Sequence, residues 1–387
     1  MPPDIIVVGS GFAGSILAER LANIHNKKVL ILEKRAQIAG NMFDYKNKDG
    51  ILIHKYGPHL FRTNSDEVIK YLSQFTQWYP YQHRVLADID GCLIPVPFNL
   101  TSLERLLCDK FNELKTKLIN SYGMDVKVPI ATLKNHDDAE IRQLGQFIFN
   151  KIYLNYTIKQ WGDSPENLDF DLITQRVPVH ISYDDRYFQE KFQALPLKGY
   201  TEMFKNMLMH KNITVLLNTV AKKRLQFDNK NKQIFLDNNA FSGDVIYTGP
   251  IDEIFDYCYG ELPYRSLNFK LETHKMHYFQ ETGTINYPNQ HEYTRITEYK
   301  HFSIYKNSRD TVIMREYPHE CDRNNPEKNV PYYPISKNDN SKLYARYLAK
   351  CQAFKNLILI GRLAEYLYYD MNNIITRALD FFNKNYL

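Results

Sequence analysis

The chain has 387 residues, 44% of them hydrophobic and 24% charged, with a formal net charge of +5; that is room for two or three domains with cores and excludes wholesale disorder. No apolar run approaches the roughly 20 residues that a membrane-crossing helix needs, so the composition predicts a protein that stays in water. Basic residues are interspersed with acidic ones, which disfavours nucleic acid as a partner but leaves room for arginines converging on a small anion.

The opening MPPDIIVVGSG carries no basic and apolar leader and reads as a strand of the fold. The five cysteines, Cys92, Cys108, Cys258, Cys321 and Cys351, are scattered, with no CxxC pair or histidine at metal-ligand spacing. Neither a disulfide framework nor a metal site is expected, and a cytoplasmic protein is. Tyrosine and phenylalanine are abundant, at 29 and 22; most are expected in cores, but tyrosine also stacks on flat ligands and hydrogen-bonds with its tip.

In chain order, IIVVGSGFAGSILAERLA passes from an apolar run through a glycine turn to helical spacing at Phe12, Ile16, Leu17 and Leu21, and KKVLILEKR supplies a second strand. This is a βαβ unit. Within it Gly9, Gly11 and Gly14 form GxGxxG. Gly9 allows the tight turn, Gly11 lets a pyrophosphate approach the helix N-terminus beside Phe12 and Ala13, and Gly14 lets helix and strand pack closely. Glu33 ends the next strand about twenty residues on, where an acid binds a ribose hydroxyl. An acid there disfavours a 2′-phosphate and leaves FAD or NAD; the N-terminal location and the Gly40-Asn41 turn favour FAD.

Next comes KYGPHLFRTN at 55–64, in which His59 and Arg62 follow a Gly-Pro turn. Taken alone, they are more simply a structural histidine and a solvated arginine. From about Ser65 to about Trp161 the apolar spacing is mainly helical, broken by PVPFN at 95–99. Beyond about residue 211 short β-type runs dominate, and the last, LILIGRLAEY, leads to an amphipathic closing helix. The expectation is an α/β protein: a Rossmann-like FAD-binding domain of residues 1–65, about 195–260 and 350–387, a mainly helical insertion at about 66–165, and an antiparallel-sheet substrate domain at about 166–194 and 261–349.

KYGPHLFRT, PFN, YTIKQWG, RVPVH, DDRYF, YTGPID, PYRSLNF, YTRITEYKHF, REYP, PYYP and GRLAEYLYYDM occur in this order and together resemble the bacterial UDP-galactopyranose mutase family over essentially the whole chain. The resemblance implies FAD, active when reduced, and interconversion of the pyranose and furanose forms of a nucleotide sugar through an adduct between flavin N5 and the sugar C1, for cell-surface polysaccharide precursors. It implies a homodimer as well. Arg176 and Arg295 match the family's diphosphate arginines, with Arg265, Tyr187, Tyr317 and Tyr368 adding contacts. Tyr156 and Trp161 match the base-binding segment, and Asn99 and Asn286 polar positions around the ligands. Gly361, Arg362, Asp370 and Met371 match the C-terminal flavin segment, with Glu33, Lys34, Gly40, Asn41 and His59 completing the cofactor set and His59 also facing the sugar.

Three positions depart from the family pattern. Ala39 stands for the first glycine of GGN, His180 for the second arginine of RxPVR, and Arg62 for the histidine of GPHxFHT. UDP-galactopyranose is the leading substrate; Arg62, longer and always charged, suggests UDP-N-acetylgalactosamine instead or in addition, and a dTDP-linked deoxy or amino sugar is a further alternative. An ordinary flavin oxidoreductase, or a non-catalytic nucleotide-binding protein, shares only the fingerprint.

Overall fold

A computed structural model describes residues 2–162, 178–304, 308–325, 329–335 and 337–387. Its centre is a five-stranded parallel sheet of β1 (Ile5–Val8), β2 (Val29–Leu32), β3 (Ile213–Leu216), β4 (Asp244–Tyr247) and β5 (Leu357–Leu359), in the order β3-β2-β1-β4-β5. This is the strand order of a dinucleotide-binding fold. The apolar run of β1 follows from burial on both faces. Ile5 and Val7 join the core beneath the helices Phe12–His25 and Met371–Tyr386, while Ile6 and Val8 join a second core with Tyr347 and Cys351 of the helix Asn338–Gln352.

The second large sheet has seven strands, in the spatial order Tyr333–Pro334, Tyr264–His274, Thr311–Glu320, Arg295–Glu298, Thr284–Asn286, Val85–Ile89 and Cys92–Val96. All neighbours are antiparallel except Thr284–Asn286 with Val85–Ile89. Here the structure departs from the expected helical insertion: the hairpin 85–96 belongs to this sheet. Its turn is Asp90-Gly91, both at positive φ, and Asp-Gly between apolar runs is a hairpin signal that the helical spacing around it masked. The hairpin also buries Val85, Ala87, Ile89, Ile94 and Val96 in one core with the helices of 100–154, tying the helical part to the sheet.

One further departure concerns the helix expected near the base-binding segment. Ala139–Ile148 continues through a π-helical stretch, Phe149–Leu154, into Asn155–Trp161. The wider turn shifts the residues beyond it around the helix axis, a change that 3.6-residue spacing does not reveal. Residues 61–63, bearing Arg62, form a short strand paired with Phe192–Pro196, with Arg62 opposite Gln193.

Gly14 sits where the first helix crosses the glycine turn: a β carbon there would lie 2.1 Å from the Gly9 carbonyl oxygen and 3.0 Å from Val7 Cγ1. The expected result of Gly14→Ala is a destabilisation of about 1–3 kcal/mol by overpacking, read by urea unfolding; unchanged stability would contradict the close crossing.

Candidate active site

The turn from β1 into the helix Phe12–His25 leaves that helix open at its start. Among the described residues no side chain caps Gly11, the first turn has no acid, and a β carbon on Gly11 would meet nothing within 4 Å. A helix start without a side-chain cap and with open space before it has the features that suit an anion. Phe12 and Ala13 are buried beneath it, Gly40 closes on Gly11, and Gly361, at φ 108°, passes Ala13. Glu33 is 5% exposed and accepts from Ser10 N and Oγ at 2.9 and 2.7 Å and from Arg35 N at 2.9 Å. Its carboxylate is thus fixed against the fingerprint. Asn41 Oδ1 accepts from Arg35, whose guanidinium lies 4.3 Å from the Tyr56 ring. Ala39 is at φ 75° and fully buried, a left-handed geometry that the usual glycine adopts without strain.

Tyr56 opens onto a cavity of about 370 Å³ lined by the seven-stranded sheet and by residues of the segments 56–62 and 362–372. Of the residues picked from the sequence, it gathers His59, Arg62, Tyr156, Tyr187, Asn286, Arg295, Arg362, Tyr368, Asp370 and Met371. A second cavity of about 310 Å³ shares Tyr156, Tyr187 and Asn286 with it and adds Trp161 and Gln160. Several enclosed polar atoms in these walls have no hydrogen-bond partner among the described residues: His59 Nδ1, Thr284 Oγ1 and Asn286 Oδ1 in the first, Gln160 Oε1 in the second. Buried polar atoms are normally paired, so an unpaired group of them in one cavity marks a place for a polar ligand.

Charge in the cavity is arranged in pairs. Arg295 Nε lies 3.4 Å from Glu316 Oε1, and Arg295 Nη2 donates to the Tyr156 hydroxyl at 2.8 Å. Burial works against the guanidinium's charge, but Glu316 and the surrounding tyrosines outweigh it, so Arg295 stays protonated more firmly than usual. Burial raises the Glu316 carboxyl, and Arg295 opposes that shift. Arg362 donates to the carbonyls of Tyr332 and Tyr369 at 3.1 and 2.6 Å and lies over the Tyr368 ring. Arg62 bridges Glu190 and Asp370, the latter at 3.3 Å, and stacks on Phe188 at 4.3 Å. Asp370 also caps the final helix by accepting from Asn373 N at 2.8 Å. Arg62 is therefore a neutralised strut in the wall rather than a free donor.

Besides the residues grouped around the glycine fingerprint, four of the sequence-chosen residues are not among those lining these cavities. Asn99 caps the helix Leu100–Leu106, and its amide is taken up by Ser102, Asp184 and Asp185. Arg265 is 4% exposed and donates to the carbonyls of Gln160 and Lys159; its charge caps the C-terminal end of the helix that carries Tyr156 and Trp161. Tyr317 follows Glu316 on one strand and so faces away from it, packing on Tyr293 and Lys270. Lys34 reaches Glu253 at 3.9 Å at the surface. Arg176 lies outside the described residues. The sequence reading missed His83, Thr284, Glu316, Tyr332 and Tyr333; alternation along REYP was the available signal for Glu316, but not for Tyr332 and Tyr333, neighbours that both line the cavity.

His54 and His83 are 2% and 5% exposed, and burial pushes both down to about 3. Below the unfolded value of about 6.5 the unfolded chain takes up protons that these rings refuse, so stability is complete above that pH and falls as pH drops, by at most about 1.4 kcal/mol per pH unit for each ring. Urea unfolding at pH 7.5, 6.5 and 5.5 is expected to show the loss between the last two, and His83→Phe to reduce it; a flat profile would contradict neutral burial.

The model of the UDP-galactopyranose mutase family matches residues 151–368, more than half of the chain, and that of an NAD(P)-binding Rossmann-like domain matches residues 7–75. The UDP-galactopyranose mutase of Mycoplasma genitalium is 35% identical over 380 residues, covering 97% of this chain and 93% of that protein. The dTDP-fucopyranose mutase of Escherichia coli is 31% identical over 379 residues, covering 97% and 96%. A crystal structure of reduced UDP-galactopyranose mutase shares the fold, with a TM-score of 0.71 at 15% identity over 99% of this chain and 93% of that one. With a Rossmann-like sheet at its centre and a polar double cavity beside it, the chain belongs to the UDP-galactopyranose mutase family and is an isomerase of the mutase type.

Proposed function

We propose that the chain interconverts UDP-galactopyranose and UDP-galactofuranose with reduced FAD, for cell-surface polysaccharide precursors. The observation that carries this is the pair of cavities sharing Tyr156, whose enclosed polar atoms lack partners among the described residues and where Arg295, in the wall of the first, donates to Tyr156. The residues present fit FAD. Gly11 and the open helix start suit its pyrophosphate, Glu33 its ribose, and the Gly361 to Met371 segment with His59 its ring system. Bound in its reduced form, FAD supplies the nucleophile for the anomeric carbon.

The side chains have three tasks. Arg295 takes up the charge of the departing diphosphate, its fork matched to phosphate oxygens and its position held by Glu316 and Tyr156, with Arg176 as the expected second arginine. Trp161 and Tyr156 offer flat surfaces to the base, in a cavity where Gln160 Oε1 is left to pair with its edge. His59, kept neutral by burial and by the nearby His54 and Arg362, presents an uncharged nitrogen to the sugar and cofactor. Tyr187 and Tyr368, in the lining of the larger cavity, add contacts to the diphosphate. The protein is further proposed to be a cytoplasmic homodimer.

A second reading keeps the chemistry and changes the sugar. Arg62 and Phe188 form one wall of the large cavity, so an arginine in place of histidine reshapes the space around the sugar substituents; UDP-N-acetylgalactosamine or a dTDP-linked deoxy or amino sugar is then the substrate. Arg62→His is expected to shift the ratio of rates on the acetamido and unmodified sugars toward the unmodified one, and an unchanged ratio would remove this reading. For the reaction class, the purified protein is expected to carry bound flavin and, only after dithionite reduction, to form a furanose product from UDP- or dTDP-sugars separated by chromatography. Net oxidation of a substrate with an electron acceptor would instead make it an ordinary FAD oxidoreductase.

A further inference from the structure

The Gly57-Pro58 turn puts His59 into the cavity wall, and a buried ring stands directly behind it. His54 ends the strand Leu52–His54, paired with Asp44–Lys46. The rings of Tyr200, Tyr299 and Phe302 surround it at centroid distances of 5.6, 5.6 and 6.2 Å, and its carbonyl accepts from the Tyr299 hydroxyl at 2.8 Å. Its Nδ1 accepts the backbone N–H of His59 at 3.0 Å. This bond closes the turn from the strand side, while Gly57, at φ 95°, closes it from the cavity side, where a β carbon would lie 3.3 Å from Phe269 Cζ.

We infer that His54 is a positioning residue for the mutase reaction: by accepting the His59 amide proton it fixes the turn, and with it the place of the His59 ring in the cavity wall. The inference rests on the mutase reading for its catalytic consequence, but the anchoring itself does not. Imidazole suits the task because Nδ1 accepts a proton only while the ring is neutral, and burial keeps it so. A ring already wedged among three aromatic side chains loses little further freedom in making the bond, so a displacement of the turn has to break the bond or move the core. A small shift of a group beside a reacting centre is enough to slow the reaction.

The test uses three variants of the FAD-loaded enzyme. Asparagine places Oδ1 as many bonds from the backbone as Nδ1 of histidine, glutamine places its oxygen one bond further out, and leucine has no acceptor. Hydrogen exchange of the 55–60 segment is expected to remain slow in His54→Asn and to quicken in His54→Leu and His54→Gln. In the reduced enzyme kcat is expected to fall roughly tenfold to a hundredfold in the latter two and to recover to within a few-fold of the parent in His54→Asn, at similar flavin content. Slow exchange at His59 in His54→Leu, or equal behaviour of the asparagine and leucine variants, would overturn the proposal. If His54→Leu does not fold, asparagine against glutamine makes the same comparison. Should the parent enzyme turn over no nucleotide sugar, the mutase reading fails, and exchange at His59 alone decides whether His54 is the anchor.

Discussion

A guanidinium set in the wall of a cavity beside a buried carboxylate has to be compensated, and Arg295 is compensated from both sides. Glu316 stands opposite it in the strand register, at 3.4 Å, and the Tyr156 hydroxyl accepts from it at 2.8 Å. Losing one partner of such a group leaves an uncompensated charge, which is far more costly than the pair itself is stabilising. The sheet must therefore hold Glu316 in register, and the helix ending at Trp161 must stay against the sheet. Arg265 serves the second requirement by capping that helix. The same arrangement leaves Arg295 charged in the wall of the larger cavity, bonded to a tyrosine that both cavities share.

Some residues matched by resemblance are engaged by the ends of helices. Arg265 and Asn99 have the chemistry of ligand contacts but spend it on helix ends, one on carbonyls and the other on amides. A motif records that a residue type is needed at a position; it does not distinguish touching the ligand from holding what touches it.

The nucleotide-binding half was legible from the sequence because its signals are local: an apolar strand, three glycines at fixed offsets and an acid at the next strand end. The cavity residues His59, Arg295, Asn286 and Trp161 came from resemblance, since no spacing rule joins positions so far apart in the chain. What escaped was decided by geometry that spacing does not encode. The hairpin 85–96 lay hidden in a helical context, the π-helical stretch rotated Tyr156 and Trp161 relative to regular periodicity, and Tyr317 was separated from Glu316 by strand alternation alone. Arg62 was visible, but not its neutralisation by Glu190 and Asp370, which come from distant segments.

The parallel sheet is threaded through almost the whole chain: β1 is flanked by β2, from residue 29, and by β4, from residue 244, and the sheet is finished only by β5 at residue 357. A ribosome thus releases the fingerprint early and its completing strand and covering helix last. Until residues 244–247 emerge the apolar run of β1 has one paired edge at most, and closing so long a loop is slow. Such a chain is exposed to misassembly during synthesis, and any ligand held by segments from both ends would favour the closed state by binding the native fold and not its precursors.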